Sequence, residues 1–406
     1  MNKQFRILSA FLVLAIAMLA CALPLGATPT ASPDDVSTVV ALTMQALTPA
    51  SSTSTPETLG PLPHDLYYLG KDGSGLVQVF RLERDAKTQH QVTFEPSDVG
   101  NYDVSLVDGS VVYVANNQIL LVNADGSNRR VLVDGGPVDP NDPIQNSISN
   151  PIFSPDAQTI AYGYKGLNLY TVSTGVSKLV LEKPIPDPIT GETRQGELYW
   201  PQKFSPDGTK ILVTAAIPNS DGAAEMIYSL TTNTTIRFIS DAGAFFCCGE
   251  EKWTLDSQSL YAASPTVGMF GSGLWHVDAS TGAITTLLPT DAGGGQFNLA
   301  DEPYLAPDGQ LYFFFAIASS TDGMVLRGPL QVARSDPDGV TGLTILRQES
   351  FALLNEALWA PDASFVIAVS APTADVYQGG QAELVYVDGK PKTTLISFAQ
   401  QLKWGP

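Results

Sequence analysis

Beyond Pro63 the apolar residues fall in short runs closed by Pro, Asp and Gly, and nowhere keep the 3.6-residue period of a long amphipathic helix. Val111-Val112-Tyr113-Val114-Ala115 and Ile211-Leu212-Val213-Thr214 are typical, rich in the β-branched and aromatic residues that suit a pleated surface. The pattern predicts many short strands joined by turns.

These runs follow a repeat. Phe153-Ser154-Pro155-Asp156, Phe204-Ser205-Pro206-Asp207, Trp253-Thr254-Leu255-Asp256, Leu305-Ala306-Pro307-Asp308 and Trp359-Ala360-Pro361-Asp362 each precede a strand, and Leu106-Val107-Asp108-Gly109 is a weaker copy. The shortest interval, Asp108 to Asp156, is 48 residues and the longest, Asp308 to Asp362, is 54, the length of one four-stranded propeller blade. Within a repeat the aromatic or Leu ends inner strand A, the turn reverses the chain into strand B, strand C follows at residues 167–172, 226–230, 273–277 or 383–387, and a polar turn such as Ser173-Thr174-Gly175 leads to outer strand D. Pro sets φ in the turn, Asp accepts its N–H groups and Gly takes the left-handed position. Ala157, Ser257 and Ala363 replace that Gly, so those turns need another geometry or tolerate strain.

Strand B recurs seven times, beginning near Leu66, but the strand A that should precede the first is missing there. Leu402-Lys403-Trp404-Gly405-Pro406 matches Leu358-Trp359-Ala360-Pro361 and stops where a turn would begin. The expected architecture is therefore an all-β, seven-bladed β-propeller over residues 64–406, closed by the C-terminal strand so that no sheet edge is left free between its first and last blades.

The remaining N-terminal stretch has a different character. Lys3 and Arg6 precede an apolar run over residues 7–20, the order of an export signal. Met18-Leu19-Ala20-Cys21 resembles the bacterial lipobox, which implies lipidation of Cys21 after cleavage; cleavage after Ala27 and an uncleaved anchor helix are the alternatives. Residues 21–63, rich in Thr, Ser, Pro and Ala, read as a tether with a short helix over 33–47. The expectation is an exported protein, anchored through its N-terminus to a membrane at the cell surface or in the periplasm.

A net charge of −19 and a pI near 4.4 exclude a phosphate-neutralising groove and hence a nucleic-acid partner. The Ser-Pro-Asp-Gly repeats, with residues 121–130 (Leu121-Val122-Asn123-Ala124-Asp125-Gly126 and onward), resemble the propeller repeats of the bacterial TolB-like family, over nearly all of residues 62–406. That resemblance implies the propeller fold and an envelope setting; the tether stands where the family's namesake carries an additional α/β domain and works with the Pal lipoprotein.

Function is sought on the face with long connections, residues 134–149, 182–199, 240–249 and 289–301 between blades and 217–225, 264–273, 317–329 and 370–382 within them. Acids such as Asp134, Glu182, Glu197, Glu225, Asp291 and Asp375 predict an acidic rim. The leading expectation is a non-catalytic binding or scaffold protein whose rim takes a protein or polymer partner, with Phe245, Phe246, Glu250 and Glu251 as contacts. Adjacent Cys247 and Cys248 form either a vicinal disulfide or two buried thiols beside packed Phe rings. Asp139, Asn141 and Asp142 offer three oxygen side chains that Ca²⁺ could use, without a full calcium loop; no other cofactor is expected.

Hydrolase machinery is not apparent, because there is no Gly-x-Ser-x-Gly elbow and His64, His90 and His276 match neither a triad order nor a metal spacing. The rival readings are a carbohydrate-active or quinone-dependent enzyme working in the propeller channel, and a solute- or calcium-binding receptor domain. Inward-facing acids or stacked Trp residues converging at the channel mouth would favour the enzyme reading.

Overall fold

The computed structural model describes residues 60–138, 140, 144, 146–182, 197–216, 223–238, 251–268, 271–320, 323–325 and 327–406. Among them there is no helix, and the strands follow one another in antiparallel sets. The first set is β1 (Leu66–Lys71), β2 (Val77–Leu82) and β3 (Gln89–Gln91). Four-stranded sheets follow in sequence order: β4 (Tyr102–Val104), β5 (Val111–Ala115), β6 (Gln118–Val122) and β7 (Arg130–Asp134); then β8 (Ser149–Phe153), β9 (Thr159–Gly163), β10 (Gly166–Thr171) and β11 (Val176–Glu182). The next two are β12 (Leu198–Phe204), β13 (Lys210–Ala216), β14 (Ala223–Ser229) and β15 (Thr234–Arg237), and β16 (Lys252–Trp253), β17 (Ser259–Ser264), β18 (Gly273–Asp278) and β19 (Ile284–Leu288).

A five-stranded sheet comprises β20 (Asp291–Gly293), β21 (Gln296–Leu305), β22 (Leu311–Ser319), β23 (Gln331–Ser335) and β24 (Thr344–Ile345). Here the sequence reading is corrected: residues 289–301 are not an irregular connection, because Asp291 pairs with Phe297 and Gly293 with Gln296 in a tight hairpin that lengthens β21. The last strands are β25 (Leu354–Trp359), β26 (Phe365–Ser370), β27 (Gly380–Tyr386) and β28 (Thr393–Trp404). Strand β28 serves two neighbours in succession: Thr393 to Ala399 pair with β27, and then Gln400, Lys403 and Trp404 pair with Leu69, Tyr67 and Leu66 of β1.

The core lies between sheets, which explains why the central strands are apolar on both faces. Successive side chains of a strand point to opposite sides. On β22, Phe313 packs with Tyr261, Leu274 and Leu311 toward the preceding sheet, whereas Phe314 packs with Trp359, Val366 and Val385 toward the following one. On β5, Val111 lies with Tyr67, Leu69 and Val79, and Val112 with Phe153, Ile160 and Tyr162. Fully burying one such side chain stabilises by roughly 1.5–3 kcal/mol. Leu62, just before the expected start of the propeller, is already buried with Leu66, Phe365 and Ile367.

The repeat motif builds the turns as its residue types require. Ser154 Oγ donates to Asp156 Oδ1 (2.6 Å), which also accepts the Gln158 N–H (3.0 Å); Ser205/Asp207 and Thr254/Asp256 repeat the contact at 2.6 Å. Gly208 and Gly309 take φ of 70° and 81°, and Ala157, Ser257 and Ala363 adopt the same left-handed conformation at 55°, 61° and 55°. These three turns therefore keep the geometry and tolerate its strain.

Candidate ligand channel

Seven strands bring polar side chains to one cavity of about 450 Å³. It is lined by Tyr102 of β4 with the preceding Asn101, Asn150 of β8, Gln202 and Lys203 of β12, Lys252 of β16, Glu302 of β21, Asn355 and Glu356 of β25, and Gln400, Gln401 and Lys403 of β28. The connection between β26 and β27 reaches the same cavity through Tyr377, Gln378 and Gly379. Arg327 holds that connection, donating to the carbonyls of Val376 (2.7 Å) and Ala374 (3.3 Å) and lying 5.2 Å from the centre of the Tyr377 ring.

The side chains are aimed by bulges. Strand pairing slips between Ser149 and Ile152, Pro201 and Lys203, Asp301 and Tyr304, and Leu354 and Glu356, and again where β1 meets β28. A bulge leaves one residue out of the ladder and re-aims its side chain. At three of these sites a non-glycine residue takes positive φ: Asn150 at 47°, Glu302 at 49° and Gln401 at 54°. Such conformations cost on the order of 1 kcal/mol or more each and persist where the surroundings over-determine them.

Two carboxylates face inward and stitch neighbouring strands. Glu302 Oε1 accepts the Ala357 N–H (3.0 Å) while Lys252 Nζ stands 2.8 Å from Oε2. Glu356 accepts the N–H groups of Gln401 (2.8 Å) and Leu402 (2.5 Å). Burial and then the charge of Glu302 push the Glu356 carboxyl up to about 7, against two amide donors that favour its ionised form. Three lysines share the site. Lys403 pairs with Asp103 (2.9 Å), Lys252 with Glu302, and Lys203 donates to the Glu251 carbonyl (3.0 Å). Lys203 is pulled down to about 7 by burial and by the Lys252 charge.

On the side of the repeat turns a second cavity, of about 610 Å³, is walled by Phe153, Phe204, Trp253, Tyr304, Trp359 and Trp404. Two of the indoles are fixed by the neighbouring strand: Trp359 Nε1 donates to the Glu302 carbonyl and Trp404 Nε1 to the Trp359 carbonyl, both at 2.8 Å. Tyr304 and Trp359 lie nearly parallel, 11° apart with centroids at 6.4 Å. The wall thus offers ring surface with its polar edges already satisfied at these positions.

The residues singled out from sequence fare differently. Glu251 is fully buried just before β16, so it is not a contact offered from the rim. Phe245, Phe246, Cys247, Cys248, Glu250, Asp139, Asn141, Asp142 and Cys21 lie outside the described residues. Two acids assigned to the rim are buried instead: Glu197 pairs with Arg237 (2.8 Å), and Glu225 accepts from Thr214 Oγ1 (2.7 Å). His90 contacts Glu83 at 2.8 Å, and His276 lies edge-on to Tyr261 with its proton affinity lowered by burial. Among the described residues no three His, Cys, Asp or Glu side chains group as a metal site. Sequence reasoning missed Glu302, Glu356, Lys203 and the amides, although Lys203, Glu302 and Glu356 each lie within an inner strand a few residues before a repeat turn.

No family model matches the chain, and a comparison with curated proteins finds no match. Solved structures do resemble it. Prolyl endopeptidase structures superpose with a TM-score of 0.53 at 12% identity, over 84% of this chain and 49% of theirs, so this chain spans about half of those enzymes. An oligogalacturonate lyase in complex with manganese gives 0.51 at 10% identity over 83% of this chain and 86% of that one. TolB from Acinetobacter baumannii is matched at 16% identity over 84% and 80% of the two chains, with a TM-score of 0.40. At these identities the likeness concerns the β-propeller fold alone. It also corrects one expectation: the chain was read as no enzyme, yet the same fold carries peptidases and a lyase, so the architecture gives no ground for excluding catalysis.

Proposed function

We propose that the chain is a seven-bladed propeller, exported and held at a membrane by its N-terminus, whose central channel binds a saccharide. Seven blades follow from treating residues 393–399 and 400–404 of β28 as the last strand of one blade and the first of another. The apolar clusters support closure, since each joins two consecutive sheets and one joins Leu384 and Ile396 to Leu66 and Leu82.

The observation that carries the ligand assignment is the set of bulged inner strands turning Asn150, Gln202, Glu302, Asn355 and Gln401 into one cavity. Amides and carboxylates both accept, and amides also donate, which suits hydroxyl groups that do both. The indole and phenyl faces at the other end suit the apolar faces of sugar rings. Inward-facing acids and converging Trp residues are also the features that distinguish a carbohydrate-active channel from a rim-binding scaffold. Glycoside cleavage is a second reading, favoured by Glu356, raised to about 7, beside the ion-paired Glu302.

Titration of the full chain in detergent micelles with a panel of oligosaccharides, followed by tryptophan fluorescence, tests the assignment. A saturable change is expected, weakened about tenfold by Trp253→Ala, and chromatography of the same samples reads cleavage. A panel in which no saccharide changes the fluorescence or binds by calorimetry would remove the proposal.

A further inference from the structure

The two cavities meet at a waist of unusual charge. Six residues line both: Ile152, Gln202, Lys203, Lys252, Leu402 and Lys403. Every charged group common to the two cavities is therefore a cation, in a chain with 22 Lys and Arg against 41 Asp and Glu. The carboxylates that pair with these lysines stand to either side, Glu302 on the wall of the first cavity and Asp103 on that of the second. Glu302 is further engaged by the Ala357 N–H. Lys203 rests its ammonium on the Glu251 carbonyl, with the charges of Lys252 and Lys403 opposing its own and those of Glu251 and Glu302 supporting it. An anion placed at the waist would meet three ammonium groups at once.

We infer that Lys203, Lys252 and Lys403 bind the anionic group, carboxylate or sulfate ester, of an acidic sugar residue within the saccharide that occupies the channel. The inference rests on the saccharide reading above and deepens it to a substrate class. Such an anion raises the proton affinity of Lys203, so binding takes up a proton near neutrality and weakens as pH rises through about 7. Ionisation of Glu356, which titrates in the same range, adds repulsion in the same direction.

The test uses the full chain in detergent micelles with an array of neutral, uronate-containing and sulfated oligosaccharides, followed by calorimetry at about pH 6 and about pH 8. The acidic members are expected to bind at least about tenfold more tightly than their neutral counterparts, and more tightly at the lower pH. Lys203→Met should abolish the preference. Lys403→Gln, at a side chain 30% exposed, should reduce it in a variant whose melting is unchanged, and it decides the matter if Lys203→Met does not fold. Comparing the uronate and sulfate arms identifies the anion. Neutral and acidic glycans bound equally, with both variants indifferent, would overturn the acidic-sugar assignment and leave the saccharide reading standing; if no glycan binds, both fall.

Discussion

At one end of the channel the inner strands leave through turns that are close copies of one another; at the other, strands in equivalent positions carry bulges bearing Asn, Gln or Glu. Both ends use left-handed backbone without glycine, at Ala157 and Ala363 in the turns and at Glu302 and Gln401 in the bulges. The strain has different company, however. The Ala157 side chain brings no polar group to its turn, which is held by Ser154, Asp156 and the Ala157 N–H, whereas Glu302 uses its conformation to place one oxygen on the Ala357 N–H and the other beside Lys252. The difference separates backbone strain that a repeat merely tolerates from strain that delivers a side chain to a cavity.

The most drastic way to break this contrast is to remove residues 400–406, which takes one strand out of both ends at once. Loss of the buried Leu402 and the partly buried Trp404 alone should cost at least about 3 kcal/mol, and the pairing with β1 goes with them. Thermal unfolding should fall to a lower, broader transition; an unaltered melting curve would mean that β1 does not depend on this strand.

Proton linkage sharpens the comparison because the two groups brought to near neutrality, Glu356 and Lys203, both belong to the bulged end. Glu356, raised from 4.5 to about 7, contributes stability fully below pH 4.5 and loses it as pH climbs through about 7. Lys203, lowered from 10.5 to about 7, contributes fully above pH 10.5 and loses it as pH falls toward 7. The melting temperature should therefore pass through a minimum near pH 7, a few degrees (roughly 2–4) below its values at about pH 5 and about pH 9. Glu356→Gln should flatten the acid side and Lys203→Met the alkaline side. A maximum at neutrality in the wild-type chain would contradict the placement of these two groups.

Smaller still is a matched pair of glycine substitutions. Ala157→Gly should stabilise by at most about 1 kcal/mol, since relief of left-handed strain is partly offset by a freer unfolded chain. Glu302→Gly relieves the same strain but should destabilise by about 2 kcal/mol, because it strips the amide of Ala357 and the ammonium of Lys252 of a buried partner. Chemical denaturation of the two variants should give opposite signs; equal signs would mean that the Glu302 side chain plays no part in holding its own backbone.

Much of the frame is legible in the linear sequence. Ser154-Pro155-Asp156 and its relatives announce the turns, and Val111 to Ala115 or Ile211 to Val213 announce central strands, because local hydrogen bonding and two-sided burial act on contiguous residues. The bulges are hidden, since an extra residue in a strand changes neither composition nor propensity and is defined only by the partner strand. Position in or beside long connections put Glu197 and Glu225 on the rim and made Glu251 a contact, whereas pairing and packing bury all three. The same blindness concealed the site: Glu302, Glu356 and Lys203 belong to no motif of the linear sequence, and only the fold brings them, from different strands, to one cavity.

Strand β28 also imposes an order in time. Tyr102 Oη donates to the carbonyl of Gln401 at 2.6 Å, a contact spanning 299 positions, and Leu66 waits for Trp404. During synthesis from the N-terminus, β1 is among the first strands available and the last to receive its second neighbour. From its own synthesis until that of β28 it carries an unsatisfied edge, so the nascent chain depends over that interval on whatever shields that edge.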